Sequence, residues 1–433
     1  MFDLVISNVF TVEGMNGQNL ADVCIHQGKI AQIQPPHSNA QAMNIIDGTG
    51  LLLSPGFIDI HRHADLLPFS SSLWSELAQG LTSIISGNCG FSCVPNAPET
   101  FSAACNYSAP ILGAIPQHFC GMSSQDFFDE IKSRPLRLNC GYLVGNGSLR
   151  RSVTGFSNAP LTNANMQDIC QLLDDALSAG AMGLSMGIMY TPECYYSTQE
   201  LSRIAQIAAH HGKPVISHIR GEGRSVIDSI DEMITIGRTS GARIHISHMK
   251  AAGTDMWGKA IDTIISHIDQ AQREGIDVTF DAYPYTAGST TLLSLFPPET
   301  LSDATEGILK QIADPIQRAY ILGEFAKERD GWDNFIQSLG WGRVIVSGSS
   351  NPSEVGKSIR ELAKQAHCQE GDYALDLLLR EHGNVPIVLE EMAADDVRRV
   401  ITHPDCIVIS DSLYSVAGMP HPRKYGAFER FLC

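Results

Sequence analysis

Residues Gly56 to Asp65, GFIDIHRHAD, carry an apolar run that stops at two histidines separated by one arginine. Side chains two apart on a strand point to the same face. His61 and His63 therefore lean the same way, close enough to share one ion, although a pair of surface histidines at a strand end would read alike in isolation. Four more residues of ligand or proton-carrying type stand at the ends of later apolar runs: Cys89 in GNCG, His218 in ISHIR, His248 in HISHMK and Asp411 in VISDS. Singly, each has a plain structural reading: a satisfied core histidine, a small apolar filler, a loop cap. Jointly, imidazoles and a thiolate point to zinc before calcium or magnesium. His245 lies three residues before His248, so strand alternation sends it to the opposite side, toward the helices, and it is given no ligand role.

These residues need elements that bring their ends together. Eight short apolar runs are spaced for that: Phe57–Ile60, Thr82–Ser86, Gly141–Gly145, Met182–Ser185, Pro214–His218, Arg243–His248, Asp277–Ala282 and Cys406–Ser410. Helical patterns separate several of them, at Asn165–Ser178, Thr198–His210, Ser225–Gly237 and Lys259–Arg273. Met166, Ile169, Cys170 and Leu173 recur at helical spacing, and Gly180, Gly212 and Gly241 stand where helices end. Alternating βα units imply a parallel sheet, and a count of eight favours the closed barrel over an open doubly wound sheet. In such a barrel the chemistry sits at the C-terminal strand ends, where all six candidate residues fall.

Residues 1–55 form a different module of short alternating strands, Phe2–Phe10, Ala21–Ile25 and Lys29–Ile33, with turn signals at Glu13-Gly14 and Gln27-Gly28 and a loop at Pro35–Asn39. Between runs seven and eight, about residues 291–400 read as an insertion over the barrel mouth, with helical stretches at Thr305–Gln311, Pro315–Lys327, Pro352–Gln365 and Tyr373–Glu381 and an extra strand at Val344–Val346. The chain has 433 residues, 43% hydrophobic and 18% charged, with a formal charge of −17. That acidity argues against a nucleic-acid or anionic-membrane partner. No apolar stretch has the length of a membrane span, and MFDLVISNVF lacks the basic start of a signal peptide. Eleven cysteines without framework spacing fit a reduced, cytoplasmic setting, with Cys140, Cys170 and Cys406 as core filler.

Seven stretches in order resemble the amidohydrolase superfamily and, within it, the N-acyl-D-amino-acid deacylase (D-aminoacylase) family: GFIDIHRHAD, GNCGFS, GAMGLSMGIMYTP, SHIRGEG, ISHMKAAG, DAYPYTAGST and HPRKYGAFERFL. The resemblance implies a (β/α)8 TIM-like barrel with a small N-terminal β-sandwich segment and bound zinc. His61 and His63 match the first-strand ligands, Cys89 the thiolate ligand, His218 and His248 the tighter metal site, and Asp411 the catalytic aspartate and a metal neighbour. Lys250, Arg423 and Tyr283 match substrate α-carboxylate contacts, and Tyr190 a carbonyl contact or pocket wall. Hydantoinases and dihydroorotases resemble the chain in the histidines but use a carbamylated lysine on strand four. GAMGLSMG has no lysine, and Cys89 is the natural substitute.

The function so implied is hydrolysis of N-acyl-D-amino acids, with one zinc tightly bound and room for a second, weaker one. Such a zinc polarises the amide carbonyl and acidifies water to a pKa of about 7. Asp411 takes the water's proton and gives it to the leaving amine. A cyclic amidase or N-carbamoyl-amino-acid hydrolase of the same superfamily is the alternative enzyme, and a non-catalytic scaffold the alternative of another class. The partner is a small N-acyl amino acid, and a homo-oligomer stays open. Two departures stand out. Gly145-Asn146-Gly147 replaces a Gly-His-Gly common in the family, and Asn146 carries no proton. The chain also ends soon after Asp411 where relatives continue, so it is expected to be incomplete or to depend on a partner subunit, with Cys433 a break point.

Overall fold

The structure, a computed structural model, describes residues 1–12, 18–70, 74–414 and 418–432. The Glu13-Gly14 turn signal and Cys433 lie outside the described residues. The chain divides into two compact units, Met1–Phe57 and Ile58–Cys433. The first holds β1 (Phe2–Val12), β2 (Gln18–His26), β3 (Lys29–Gln34), β4 (Ala42–Asp47) and β5 (Leu52–Leu53) in one mixed sheet, ordered β3-β2-β1-β4 with β5 beside β1. Gln27 and Gly28, at φ 51° and 71°, make the two-residue turn that pairs β2 with β3 antiparallel. Val5, Val9, Ala21, Val23 and Cys24 are its buried apolar residues.

The second unit is a mixed α/β fold. Its strands begin with β6 (Phe57–Asp59), β7 (Arg62–His63), β8 (Leu81–Ser86), β9 (Asn139–Tyr142), β10 (Val144–Gly145), β11 (Leu184–Gly187), β12 (Val215–His218), β13 (Ile244–Ile246) and β14 (Val278–Ala282). β15 (Ala287–Thr291), β16 (Val344–Val346) and β17 (Pro386–Glu390) then make a separate antiparallel sheet ordered β15-β17-β16. The last strands are β18 (Cys406–Val408) and β19 (Ser412–Leu413). One ladder runs β10-β11-β12-β13-β14-β18 in parallel, a second joins β6, β8 and β9, and a third pairs β7 with β19.

Helices follow the strands as the periodicity requires. Ser197 and Glu200 form a capping box that starts the helix Thr198–His210, whose Leu201, Ile204, Ala205 and Ala208 are buried. Asn163–Ala179, Val226–Ser240 and Ile261–Arg273 flank it in sequence. Their apolar stripes pack on Leu184, Val215, Ile244, Ile246, Val278 and Phe280, which form one face of the sheet. Within the insertion, helices cover Ala304–Ala313, Pro315–Glu324 and Glu370–Arg380. The stretch expected as a helix from Pro352 starts only at Ile359: Gly356 sits at φ 83° and Ser358 caps the helix Ile359–Ala366. Cys140, Cys170 and Cys406 are half-buried, so they edge the core and do not fill it. Among the described residues, no helix is long and apolar enough to cross a membrane.

Register decides which residues share the other face. Ser185, Ile216, His245 and Thr279 lie opposite one another along the ladder, and Gly187 pairs with His218 two residues on. His245 therefore faces away from the helices, against the expectation from alternation. The physical reason is that β13 ends at Ile246 and His248 turns at φ 36°. Counting back from His248 through a left-handed residue inverts the side.

Candidate active site

The six candidate residues come together at one end of the strands. His61 and His63 each place Nε2 3.5 Å from Asp411 Oδ1. The Asp411 N–H donates to the His61 carbonyl at 2.9 Å, which aligns β19 with β7. Arg62, between the histidines, is fully buried on the other side, within 3.3 Å of Asp59, Glu76, Ser410 and Ser412. It ties the first strand region to the last. Cys89 Sγ lies 3.3 Å from His61 Nε2 and 3.5 Å from His248 Nε2, and His248 Nε2 lies 2.9 Å from His218 Nδ1.

The loop that carries Cys89 fits only because its neighbours lack side chains. A Cβ on Gly187 would collide with the Cys89 carbonyl, and one on Gly90 with the Glu193 carboxylate. Glu193 Oε1 accepts from the Gly187 N–H at 3.0 Å, and its Oε2 from Asn146 Nδ2 at 2.9 Å. Burial pushes the Glu193 carboxyl up to about 7. Asn146 thus sits behind the Cys89 loop, and it is absent from the lining of the site cavity.

Sequence reasoning missed two buried carboxylates that back the histidines. Asp281 Oδ2 lies 3.3 Å from His61 Nδ1 and 3.0 Å from His245 Nε2, while its Oδ1 accepts from the His248 N–H. Glu222 Oε1 lies 2.9 Å from His248 Nδ1 and 2.7 Å from Lys250 Nζ. The Nε2 atoms of His61 and His248 face the cluster, so the His61 Nδ1–H is assigned as donor to Asp281, while His248 Nδ1 lies 2.9 Å from both Glu222 Oε1 and Lys250 Nζ. The only cue for Glu222 was a carboxylate four residues after His218.

Among the described residues, three donor sets have all their ligand atoms within 4.8 Å of one another: His61, Cys89 and His248; His61, His63 and Asp411; His218, Glu222 and His248. Burial would raise the Cys89 thiol, but the charge of His61 and hydrogen bonds from His218, His248 and His61 hold it well below its ordinary value. A thiolate among imidazoles is a zinc-type donor set. Asp411 behaves likewise: burial raises it, and Arg423 first, then His61, hold it well below the carboxylate range. Arg423 Nη1 stands 2.9 Å from Asp411 Oδ2, with its guanidinium 4.5 Å from the centre of the Tyr283 ring. Lys250, Tyr283, Arg423 and Tyr190 all line one cavity with His63, Cys89, His218, His248 and Asp411. The Tyr190 ring lies 4.8 Å from that of His218, and its hydroxyl 3.4 Å from Thr290 Oγ1. Buried Glu391 lines the same cavity and was also missed.

No family model matches the chain. It is, however, 32% identical over 432 residues to N-acyl-D-glutamate deacylase of Alcaligenes xylosoxydans xylosoxydans, covering 99% of this chain and 78% of that protein. This chain belongs to the N-acyl-D-amino-acid deacylase family. The deacylase of Bordetella bronchiseptica that acts on N-acyl-D-glutamate, solved with zinc and a phosphonate mimic of the tetrahedral intermediate, superposes at TM-score 0.80 with 26% identity, over 99% of this chain and 79% of that one. A D-aminoacylase structure described by its binuclear metal centre, activated by one metal and attenuated by a second, matches at TM-score 0.80 and 27% identity, over 99% and 80% of the two chains.

Proposed function

We propose that this member of the deacylase family hydrolyses the amide bond of N-acyl-D-amino acids, releasing a carboxylate and a free D-amino acid. The observation that carries the reading is Asp411, held between His61 and His63 on one side and Arg423 on the other, in a cavity that also receives Lys250. A proton carrier, a zinc-type donor set and two cations thus converge. Cys89, His218 and His248 are the residues to hold a tight zinc, and His61 and His63 with Asp411 those for a second, weaker one. Zinc in such a site supplies Lewis-acid polarisation of a carbonyl and lowers the pKa of water.

The chain's own groups do the rest. Asp411 is ionised, so it can take a proton from the attacking water and hand it to the amine nitrogen, which cannot leave as an anion. Arg423 orients Asp411, and Lys250 with Arg423 supplies positive charge for the substrate α-carboxylate. Tyr283 stacks under Arg423, and Tyr190 faces His218 where the carbonyl would lie. The fold reading that goes with this is the closed (β/α)8 barrel, supported by the β7–β19 pairing that brings first and last strands together. Residues 1–55 stand as part of a β-sandwich and about 291–400 as an insertion. The setting proposed is cytoplasmic.

The test is turnover of N-acetyl-D-amino acids against their L-forms and hydantoins. The D-acyl substrates should be cleaved, and a preference for hydantoins would replace this reading with the cyclic amidase. Arg423→Met and Lys250→Met should weaken free-acid substrates more than their α-amides, by the about 1.5–3 kcal/mol of a charged hydrogen bond. Equal losses on acids and amides would remove the amino-acid part of the reading.

A further inference from the structure

A second cavity adjoins the first, and nothing above gives it a task. It shares Met189, Tyr190, Ser294 and Phe335 with the site cavity and encloses about 310 Å³. Beyond that threshold its walls include the aromatic rings of Tyr107, Tyr195, Phe296 and Trp332 with Leu301 among them, beside the charged Arg220, Glu299, Arg329, Asp330 and Asp333. Phe296, Leu301, Trp332 and Phe335 come from the insertion between β15 and β16, so this segment builds one side of the space.

Its charged residues other than Asp330 are already committed. Arg220 donates to both Glu232 oxygens at 2.8 Å and to the Cys194 and Tyr196 carbonyls. Arg329 grips Glu299 at 2.6 Å. Asp333 accepts from the Gly223 N–H at 2.7 Å and the Ser225 N–H at 3.1 Å. Asp330 is exposed. The cavity therefore suits a neutral, apolar group.

Direction follows from the threshold residues. Met189 Sδ lies 3.3 Å from His218 Nε2, and the Tyr190 ring lies tilted against that of His218, so the second cavity opens on the His218 side. Arg423 and Tyr283 stand with Asp411 instead. In an N-acyl amino acid the carboxylate lies on the nitrogen side of the scissile bond and the acyl chain on the other. With the carboxylate at Arg423, beside Asp411, the acyl chain is aimed at the threshold.

We propose that this second cavity is the acyl subsite and that it selects a large neutral acyl group, of arylacetyl type, over acetyl. A cavity of about 150 Å³ takes benzene, so the space holds a phenyl ring with its methylene, whereas an acetyl methyl would leave it almost unfilled. The inference rests on the deacylase reading above.

The experiment compares kcat/KM for N-acetyl and N-phenylacetyl derivatives of one D-amino acid with the full chain loaded with zinc. The phenylacetyl substrate should be favoured by at least about tenfold. Leu301→Trp, which narrows the cavity, should lower the phenylacetyl-to-acetyl ratio about tenfold. Trp332→Ala, at a half-buried and more tolerant position, should lower the ratio in the same direction by raising KM for the aryl substrate. Equal or better turnover of the acetyl substrate would overturn the subsite while leaving the deacylase reading intact, as would an unchanged ratio in both variants. No turnover with either acyl group would overturn the deacylase reading and the subsite with it.

Discussion

Replacing Glu222 by glutamine tests whether the carboxylate behind His248 governs the metal. Glu222 Oε1 lies 2.9 Å from His248 Nδ1 and accepts from Lys250 Nζ at 2.7 Å, and all three side chains are buried. Glutamine keeps the size and one acceptor but removes the charge that makes His248 a stronger donor through Nε2. Loss of such an outer partner lowers metal affinity about 10–100-fold, or about 1.4–2.7 kcal/mol. Lys250 meanwhile stays buried without its counter-ion, and breaking a buried pair costs about 3–5 kcal/mol of stability. The assay is zinc competition against a chromophoric chelator, with urea unfolding measured alongside. Two effects can be separated by the double variant Glu222→Gln with Lys250→Met. It should recover stability, because the orphaned charge is gone, and should keep the weakened zinc binding. A zinc Kd in Glu222→Gln equal to that of the parent would refute the role given to this carboxylate.

Cys89→Ala should lose most of its zinc by elemental analysis, because the thiolate is the strongest donor in the set, and undiminished zinc would remove it from the ligands. Asp411→Asn should keep the zinc held by Cys89, His218 and His248 while kcat falls about 10²–10⁴-fold, since an amide shuttles no proton; a loss of only a few-fold would move the proton transfer elsewhere. Glu193 is an acid whose folded value, about 7, lies above its ordinary 4.5. Its contribution is therefore fully present below pH 4.5 and is lost as pH rises through 7, reaching about 3 kcal/mol. Glu193→Gln should flatten that part of the stability curve between pH 4.5 and 7, and parallel urea-derived curves for parent and variant would show that Glu193 titrates alike in the folded and unfolded chain.

The strands that carry the site were legible because each is a short apolar run ended by an unlike residue, as in ISHIR or VISDS. Clustering of His61, Cys89, His218, His248 and Asp411 followed from placing those ends side by side. Asp281 and Glu222 were hidden for a physical reason: a carboxylate that backs a histidine meets it across strands or loops, at no fixed spacing. His245 was misplaced because alternation holds only within a strand, and β13 stops before His248. β15, with the sequence AGSTT, looks like a loop until it pairs with Pro386–Glu390, about a hundred residues away. Its identity as a strand lives in that distant partner.

Cys89, His248 and Asp411 share a backbone feature: φ angles of 53°, 36° and 48°. Side-chain-bearing residues enter the left-handed region at an expense of about 1–2 kcal/mol each, which glycine avoids. Glycine at any of the three would ease the backbone and delete the group that faces the cavity. Selection for a tougher protein and selection for a working one thus pull in opposite directions at these positions. In a library sorted by heat resistance alone, glycine and asparagine should accumulate at 89, 248 and 411; sorted by turnover, the same sites should refuse them. Where two such sortings disagree, they would mark the working residues of this fold without any substrate having been seen bound.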